Sequence, residues 1–135
     1  MFINKSRIYF NQVDPGGILF YGEVFNIVHS AYEEMLNSFD LDTNYFEHSE
    51  FAIPIIHSEA DYLKPVKFGD EIITKIVVSE LKTSSFSLEF EIQDIIGNIL
   101  VKVKTVHVFV KKKGFSKTEL PTGLRSKLNE LYSTK

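Results

Sequence analysis

A carboxylate in a tight turn stands directly before the longest helical pattern of the chain. Asp14 opens the run Asp-Pro-Gly-Gly, residues 14–17, in which proline fixes φ and glycine permits a positive φ. Taken alone, this run is explained as a turn whose aspartate accepts backbone N–H groups. However, unpaired amides and the positive dipole end collect at a helix start and can hold a developing oxyanion. An aspartate is ionised at neutral pH, so Asp14 is a candidate nucleophile or general base.

Other residues that could do chemistry form no metal-binding pattern. His48 and His107 stand at no ligand spacing from another histidine or carboxylate, so we predict no metal site. The chain has no cysteine, which excludes disulfides, thiolate metal sites and a cysteine nucleophile. Glu33 and Glu34 fit solvent-facing positions of a helix. Lys111, with the two lysines that follow it, fits a solvated strand end.

Regular elements must position the Asp14 turn. Residues 6–11 favour a short strand, and residues 23–39 carry apolar residues at helical spacing. Residues 40–50 favour a loop or a short helical piece. Four alternating strands follow Pro54, and the segment after Pro121 favours a short helix. Short turns between the strands disfavour a parallel sheet, so we predict an α+β fold in which an antiparallel sheet covers one long helix.

Length and composition limit the class of protein. The chain has 135 residues, 44 % of them hydrophobic, which predicts one domain over residues 1–135 with an ordinary core. A net charge of −3 disfavours a nucleic-acid binder, which needs a basic face. No segment approaches the roughly 18 apolar residues of a membrane span. The first ten residues lack the features of a secretory signal, so we expect a cytoplasmic protein.

The segment around Asp14 resembles the active site of a known family. Residues 13–21, Val-Asp-Pro-Gly-Gly-Ile-Leu-Phe-Tyr, are similar to the active-site segment of hot-dog-fold thioesterases of the 4-hydroxybenzoyl-CoA thioesterase family. The resemblance implies that Asp14 is the catalytic carboxylate and that the backbone N–H of Tyr21 polarises the thioester carbonyl. It places the amides of Gly17 and Ile18 nearby. Many relatives that act on acyl-CoA carry histidine where this chain has Tyr21, which points to the aromatic-acyl branch.

Two further segments extend the resemblance to about residues 5–112. Residues 52–70, with a Pro-x-x-x-Gly-Asp turn, and residues 29–33 on the helix are similar to the 1,4-dihydroxy-2-naphthoyl-CoA thioesterases. The resemblance implies a hot-dog fold, in which a curved antiparallel sheet wraps the central helix. It also implies hydrolysis of an aromatic acyl-CoA without a separate cofactor. Two copies are expected to join their sheets with each active site at the interface, as a homodimer or as a homotetramer of two dimers.

The resemblance also suggests which residues touch the substrate. Each of these residues has an ordinary structural explanation as well, as a core aromatic, a surface lysine or a helix or strand residue. The candidates are Ile18, Phe20, His29, Ala52, His57, Lys64, Lys82, Ser84 and Ser85. Relatives often carry several basic residues near position 82, whereas this chain keeps one lysine there, so an arginine clamp on the nucleotide is not expected. A second branch of the family uses a helix glutamate, which makes Glu33 the reserve catalytic residue.

Other functions remain open on the sequence. A hot-dog dehydratase or hydratase generally needs an aspartate and a histidine five residues apart, or a histidine–glutamate pair near the helix, and position 19 here is leucine. A protein that binds acyl-CoA without cleaving it would keep the fold and lose the chemistry. Within the thioesterases, the alternative substrates are short or medium aliphatic acyl-CoAs and acyl-carrier-protein thioesters, because the depth of the acyl site decides the chain.

Overall fold

The computed structural model describes residues 1–133, which form two antiparallel sheets and two α-helices. In chain order the elements are β1 (Phe2–Arg7), α1 (Glu23–Ser38), β2 (Phe51–Ala52), β3 (Ile55–Tyr62), β4 (Glu71–Leu81), β5 (Ser85–Asp94), β6 (Ile99–Val108), β7 (Val110–Lys111), β8 (Ser116–Lys117) and α2 (Thr122–Glu130). The main sheet has the strand order β1-β4-β5-β6-β3, and β2, β7 and β8 form a small second sheet. The predicted α+β class is confirmed. Residues 134–135 of the predicted domain lie outside the described part.

Helix α1 covers the main sheet with one apolar face. It has 16 residues, and the predicted bounds of 23–39 agree with it to within one residue. Its buried residues recur at helical spacing and are Val24, Ile27, Val28, Ala31, Tyr32, Met35 and Leu36. Each fully buried aliphatic side chain of this kind contributes about 1.5–3 kcal/mol. Packing of this apolar face against the sheet therefore stabilises α1, because a helix of this length is only marginally stable in isolation.

The central strands alternate between a buried and a solvent-facing side. Residues 72, 74, 76 and 78 of β4 are buried, as are the even-numbered residues from 86 to 92 of β5. In β6 the buried side continues through Val101, Val103, Thr105 and His107, as the sequence predicted. The apolar residues among these and the apolar face of α1 form one core cluster. Two polar side chains of β6, Thr105 and His107, are buried beside this apolar layer, which is unusual and bears on the site.

The first strand differs from the prediction of residues 6–11. Strand β1 spans Phe2–Arg7 and pairs with β4 from Phe2 opposite Ile76 to Arg7 opposite Glu71. Residues 10–12 form a 3-10 turn instead. The prediction followed the apolar run at 8–10, but pairing with β4 decides where an edge strand with a weakly alternating pattern lies. The ladder stops at Arg7 because β4 begins at Glu71.

Strand β3 forms the opposite edge of the main sheet. Pro54 separates β2 from β3, and the strands predicted after Pro54 begin with β3 at Ile55. β3 pairs with β6 on one side, and within residues 1–133 no strand pairs with it on the other. Seven of its eight residues are exposed and Ala60 is half-buried. An edge strand of this length presents a row of unpaired backbone groups that another strand can satisfy.

Candidate active site

The Asp14 turn holds one carboxylate oxygen and leaves the other uncommitted. Oδ1 of Asp14 accepts the N–H groups of Gly16 at 2.8 Å and Ile18 at 3.3 Å. The Asp14 backbone closes the turn, since its N–H donates to the carbonyl of Ile18 and its carbonyl accepts the N–H of Gly17. Among the described residues, Oδ2 has no hydrogen-bond donor, and the side chain is exposed. The turn thus fixes the direction of the carboxylate while leaving one oxygen free to react.

The loop from Asp14 to α1 is fastened to its surroundings by backbone bonds. The N–H of Leu19 donates to the carbonyl of Val66 at 2.7 Å, and the N–H of Phe20 donates to the carbonyl of Gln12 at 2.9 Å. The hydroxyl of Tyr62, at the end of β3, donates to the carbonyl of Tyr21 at 3.0 Å. Sequence reasoning did not single out Tyr62, because a tyrosine at a strand end has no distinctive local pattern.

The amide of Tyr21 is available at the start of α1. Gly22 precedes the helix without a side-chain cap, and within residues 1–133 the Tyr21 N–H donates no hydrogen bond. In contrast, the amides of Gly17 and Ile18 are already used inside the Asp14 turn. The expectation that they assist at the carbonyl therefore does not fit this geometry. The donor that remains is Tyr21, where the helix dipole favours a developing negative charge.

Two cavities follow one another between α1 and the edge of the sheet. The outer cavity, of about 180 Å³, lies beside the Asp14 loop and is lined by Ile18, Leu19, Val24, Tyr62, Lys64 and Val101 among others. The inner cavity, of about 250 Å³, is lined by Phe25, Val28, His29, Tyr32, Ser58, Phe90, Thr105 and His107 among others. Val24 lines the outer cavity and Val28, one helical turn further along α1, lines the inner cavity, so the two cavities lie next to each other along one side of the helix. Together they are called the path.

The inner cavity has an apolar wall with a buried polar cluster. His107 lies between the rings of Phe86 and Tyr32, whose centroids are 4.8 and 4.6 Å from it. Its Nε2 is 2.7 Å from the hydroxyl of Thr105. Burial, and secondarily the nearby His29, lowers the pKa of His107 to about 3. Burial also raises the pKa of Tyr32. Both side chains are therefore neutral at physiological pH.

The family is settled by comparison with known proteins. The sequence profile described as the thioesterase-like superfamily matches residues 8–128. The chain belongs to this superfamily. A 1,4-dihydroxy-2-naphthoyl-CoA hydrolase of Microcystis aeruginosa is 30 % identical over 129 residues, which cover 94 % of this chain and 92 % of the relative. The hydrolase of the same name from Rippkaea orientalis is 29 % identical over 117 residues, 84 % and 85 % of the two chains.

A solved thioesterase structure shares the fold. The crystal structure of a 1,4-dihydroxy-2-naphthoyl-CoA thioesterase from Synechocystis superposes with a TM-score of 0.89. The match covers 96 % of both chains at 23 % sequence identity. The profile match confirms the predicted family, and the superposition shows that this chain has the arrangement of sheet and helices of that structure.

Within this thioesterase fold, three of the candidate substrate-binding residues line the two cavities. Ile18 and Lys64 line the outer cavity. His29 is exposed on α1 and lines the inner cavity. Its ring packs edge-on against the ring of Tyr32, with 5.5 Å between the two ring centroids. Phe20 stays at the loop surface and packs against the ring of Tyr21 at 4.8 Å.

Other candidates lie away from both cavities of the thioesterase-like chain. His57 points to the opposite side of β3 from Ser58 and pairs with Glu59, with 3.0 Å between Nε2 and Oε1. The expectation that His57 lies near the acyl group is not met within one copy, because side chains alternate along a strand. Ala52 pairs with Val110 in the small sheet and lines neither cavity. Glu33 is exposed on α1 and also lines neither.

The residues expected near the coenzyme A nucleotide occupy the hairpin between β4 and β5. Ser85 lies opposite Val108, whereas Tyr62 and the outer cavity lie beside Val101. Seven residues along β6 correspond to roughly 23 Å. Lys82, Ser84 and Ser85 are thus at the far end of the sheet from Asp14 of the same copy. The backbone carbonyls of Lys82 and Thr83 accept Arg125, which fastens the hairpin to α2.

The described part of this member of the superfamily has neither a metal-binding cluster nor a membrane-spanning helix. Among residues 1–133, no group of three or more histidines, aspartates and glutamates is placed to hold a metal ion. No helix in the described part of the chain is both long and apolar enough to cross a membrane.

Proposed function

We propose that this chain hydrolyses an aromatic acyl-CoA thioester to the free acid and coenzyme A, with Asp14 as the catalytic carboxylate. The observation that carries the proposal is a loop, residues 14–21, that leaves one carboxylate oxygen of Asp14 and the amide of Tyr21 without partners among the described residues and that contributes Ile18 and Leu19 to the wall of the outer cavity. The relatives named as 1,4-dihydroxy-2-naphthoyl-CoA hydrolases support the reaction.

The proposed chemistry divides between these two groups. The Tyr21 amide polarises the thioester carbonyl, and the start of α1 stabilises the charge that develops on its oxygen. Oδ2 of Asp14 attacks the carbonyl carbon, the C–S bond breaks, and the thiolate of coenzyme A leaves. Water then cleaves the mixed anhydride. In the alternative, Asp14 takes a proton from a water molecule that attacks the carbonyl. Neither route needs a cofactor apart from the coenzyme A of the substrate.

The shape and polarity of the path support an aromatic acyl group. The inner cavity presents Phe25, Val28 and Phe90 to a flat ring. Its volume of about 250 Å³ suits a compact group rather than a long chain. We place the pantetheine of coenzyme A over the outer cavity, where Lys64 stands at the rim. Coenzyme A esters are made and used inside cells, and we propose the cytoplasm as the location.

The exposed edge of β3 supports a homodimer. Two β3 strands pairing antiparallel would join the main sheets and give the full hot-dog arrangement, with each sheet curved around its α1. A two-fold axis reverses one copy relative to the other. It therefore brings the hairpin that carries Lys82, Ser84 and Ser85 of one copy toward the Asp14 end of the other. We propose that these residues hold the nucleotide across the interface.

The test of the reaction is thiol release from a panel of aromatic and aliphatic acyl-CoAs. We expect Asp14→Asn to lower kcat by about 10²–10⁴-fold. The amide oxygen of asparagine can still accept the N–H groups of Gly16 and Ile18, so the turn and the thermal stability should be kept. Asp42→Asn removes an exposed carboxylate elsewhere and should leave kcat unchanged. Fast hydrolysis by Asp14→Asn would contradict the assignment, and loss of activity in Glu33→Gln would transfer it to Glu33.

The same panel separates the competing functions. Faster hydrolysis of aliphatic than of aromatic esters would replace the proposed substrate class. No thiol release from any ester, with acyl-CoA binding retained in calorimetry, would show a binding protein instead of an enzyme.

A further inference from the structure

Two buried polar atoms on the wall of the inner cavity have no partner. Tyr32 and His107 are exposed to only 2 % and 1 %, and their ring centroids are 4.6 Å apart. Within residues 1–133, the hydroxyl of Tyr32 and Nδ1 of His107 make no hydrogen bond. Leaving a buried donor unsatisfied costs stability, so native proteins keep such groups where a function needs them.

The proton positions make this pair a double donor. The hydroxyl of Thr105 contacts Nε2 of His107 at 2.7 Å and, within the described residues, has no other acceptor. We assign the Thr105 hydroxyl as the donor to Nε2, because the reverse direction would leave its O–H without an acceptor, and this assignment places the proton of the neutral ring on Nδ1. Because burial raises the pKa of Tyr32, its hydroxyl also keeps its proton. The Tyr32 O–H and the His107 Nδ1–H are then both unpaired donors on the wall of the inner cavity. An oxygen atom with free lone pairs is a group that can accept a hydrogen bond from each of them.

We propose that Tyr32 and His107 recognise an oxygen substituent on the acyl ring, at a position remote from the thioester carbonyl. This rests on the proposed function, because the ring enters along the path from the outer cavity, beside the Asp14 loop. The carbonyl stays beside the outer cavity, so the part of the ring that reaches Tyr32 and His107 is its far side. The substrate class is thus an aromatic acyl-CoA with a hydroxyl or keto oxygen beyond the positions flanking the carbonyl.

Access to the two atoms requires a small movement of the cavity wall. Each atom is itself closed off from solvent, while the neighbouring His29 is exposed and in edge contact with Tyr32. Because the His29 ring is in edge contact with Tyr32, we expect rotation of the His29 side chain toward solvent to open this wall. A plain hydrocarbon ring would then leave both donors unpaired, and a site built to hydrogen-bond a substrate oxygen rejects the analogue that lacks it.

The experiment compares two esters that differ by one oxygen. The probes are 4-hydroxy-2-naphthoyl-CoA and 2-naphthoyl-CoA, and kcat/KM is measured for each with the wild type and with Tyr32→Phe. We expect the wild type to prefer the hydroxylated ester by about 100-fold or more, and Tyr32→Phe to reduce that preference about tenfold. The rate on 2-naphthoyl-CoA should change less than about threefold, since no hydrogen bond to it is lost. In a third ester, 1-hydroxy-2-naphthoyl-CoA, the hydroxyl flanks the carbonyl, and Tyr32→Phe should affect it no more than 2-naphthoyl-CoA.

The Tm of Tyr32→Phe separates a recognition role from a structural one. A structural role of the hydroxyl would lower the Tm of this variant, whereas a recognition role would not. Tyr32→Phe removes an unsatisfied hydroxyl, so its Tm should equal or exceed that of the wild type. Tyr45→Phe, which alters a half-buried tyrosine outside the inner cavity, is the matched control and should keep the wild-type preference. Equal losses on both naphthoyl esters, an unchanged preference, or a lowered Tm in Tyr32→Phe would each overturn the proposal.

A failure of the proposed function remains distinguishable from a failure of this inference. If no ester is hydrolysed, calorimetry with 4-hydroxy-2-naphthoic and 2-naphthoic acids decides the matter. Tighter binding of the hydroxylated acid by the wild type, lost in Tyr32→Phe, supports the recognition pair without the chemistry. Equal binding of the two acids overturns it.

Discussion

At the scale of single residues, the contact between Tyr62 and Tyr21 connects the sheet edge to the catalytic loop. The Tyr62 hydroxyl donates to the carbonyl of the residue whose own amide faces the proposed oxyanion. Burial, with a smaller effect of Tyr21, raises the pKa of Tyr62. The hydroxyl therefore stays protonated and can donate throughout the neutral range. If the Tyr21 amide binds the carbonyl as proposed, Tyr62 acts as a positioning residue, because its hydroxyl contacts Tyr21 and not the reacting atoms.

Tyr62→Phe should lower kcat more than it changes KM. Losing the hydrogen bond lets the Tyr21 amide drift, and misplacement of a catalytic donor costs about tenfold or more in rate. Tyr62 is 50 % exposed, so the free energy of unfolding should change by less than about 1 kcal/mol. Steady-state kinetics and chemical denaturation provide the two measurements. Tyr132→Phe, at the outer face of the sheet, is the control, and a kcat equal to wild type in Tyr62→Phe would show that the contact has no catalytic role.

The buried histidine makes the stability of the protein sensitive to acid. The pKa of His107 is about 3 in the folded chain, well below the ordinary value near 6.5. Below pH 6.5, His107 is therefore protonated in the unfolded chain but stays neutral in the folded chain. The contribution of neutral His107 to the free energy of unfolding is thus fully present above pH 6.5 and is lost as the pH falls. Between pH 7 and 5 the loss should be about 2 kcal/mol. His107→Gln should flatten the fall in Tm over this range, whereas parallel curves would contradict the assignment.

The sequence pointed to the candidate catalytic loop but not to the residues that line the inner cavity. Asp14 and Tyr21 lie within one short segment, so a family resemblance can point to both. Tyr32, Thr105 and His107 come from α1 and β6, and only the packing of these elements brings them together. A signal existed, since Thr105 and His107 interrupt the apolar side of β6. That signal identifies polar residues facing the core, but it does not identify their partner across the cavity.

At the scale of elements, the Asp14 turn depends on a backbone conformation that favours glycine. Gly17 has φ of 78°, and an added Cβ there would meet no atom within 4 Å. Alanine at this position is therefore strained by its backbone and not by contacts, at a cost of about 1–2 kcal/mol. The strain should open the turn that orients the Asp14 carboxylate. Because a misplaced catalytic group reacts more slowly, Gly17→Ala should lower kcat at least about tenfold.

A second glycine of the chain provides the matched control for this prediction. Gly114 has φ of 76° and equally open space around it, but lies in the turn between β7 and β8. Gly114→Ala should lose a similar amount of stability in thermal denaturation and keep its kcat. If the two variants lose activity equally, the effect of Gly17→Ala comes from stability alone, and the turn does not aim the carboxylate.

The elements themselves were predicted to different degrees. The bounds of α1 and the buried sides of β4, β5 and β6 followed from periodicity, because each buries a full apolar side. The first strand was misplaced, since an edge strand takes its bounds from its neighbour, here β4. The exposed strand β3 shows the same limit. Its sequence predicts a strand, but not that one of its edges stays unpaired within a copy.

At the scale of the whole molecule, the two surfaces of the main sheet suggest how copies associate. On the face away from α1, charges alternate across neighbouring strands, as in the row Asp61, Lys102, Glu91 and Lys75. A groove of about 460 Å³ on this face is lined in part by the same lysines and glutamates. Burying such a face is costly unless every charge is paired. Pairing at the β3 edge leaves it solvated, so sedimentation should show a dimer and not a tetramer.

The interface can be tested through activity, because the proposed site needs parts of two copies. Asp14→Asn removes the carboxylate, and the double variant Lys82→Glu with Ser84→Glu repels the phosphates of coenzyme A from the hairpin. Each variant alone should be nearly inactive at low substrate concentration. In a refolded equal mixture, half of the dimers are mixed, and in each of these one site receives both intact parts.

We therefore expect the mixture to recover about one quarter of the wild-type sites, as random pairing around a two-fold axis requires. Thiol release from an aromatic acyl-CoA, measured before and after refolding the mixture, gives the result. Sites built within one copy would recover nothing, because every copy carries one defect. Recovery thus depends on the hairpin of one copy reaching Asp14 of the other. The roughly 23 Å along β6 between Val101, beside the outer cavity, and Val108, opposite Ser85, favour that arrangement over a site within one copy.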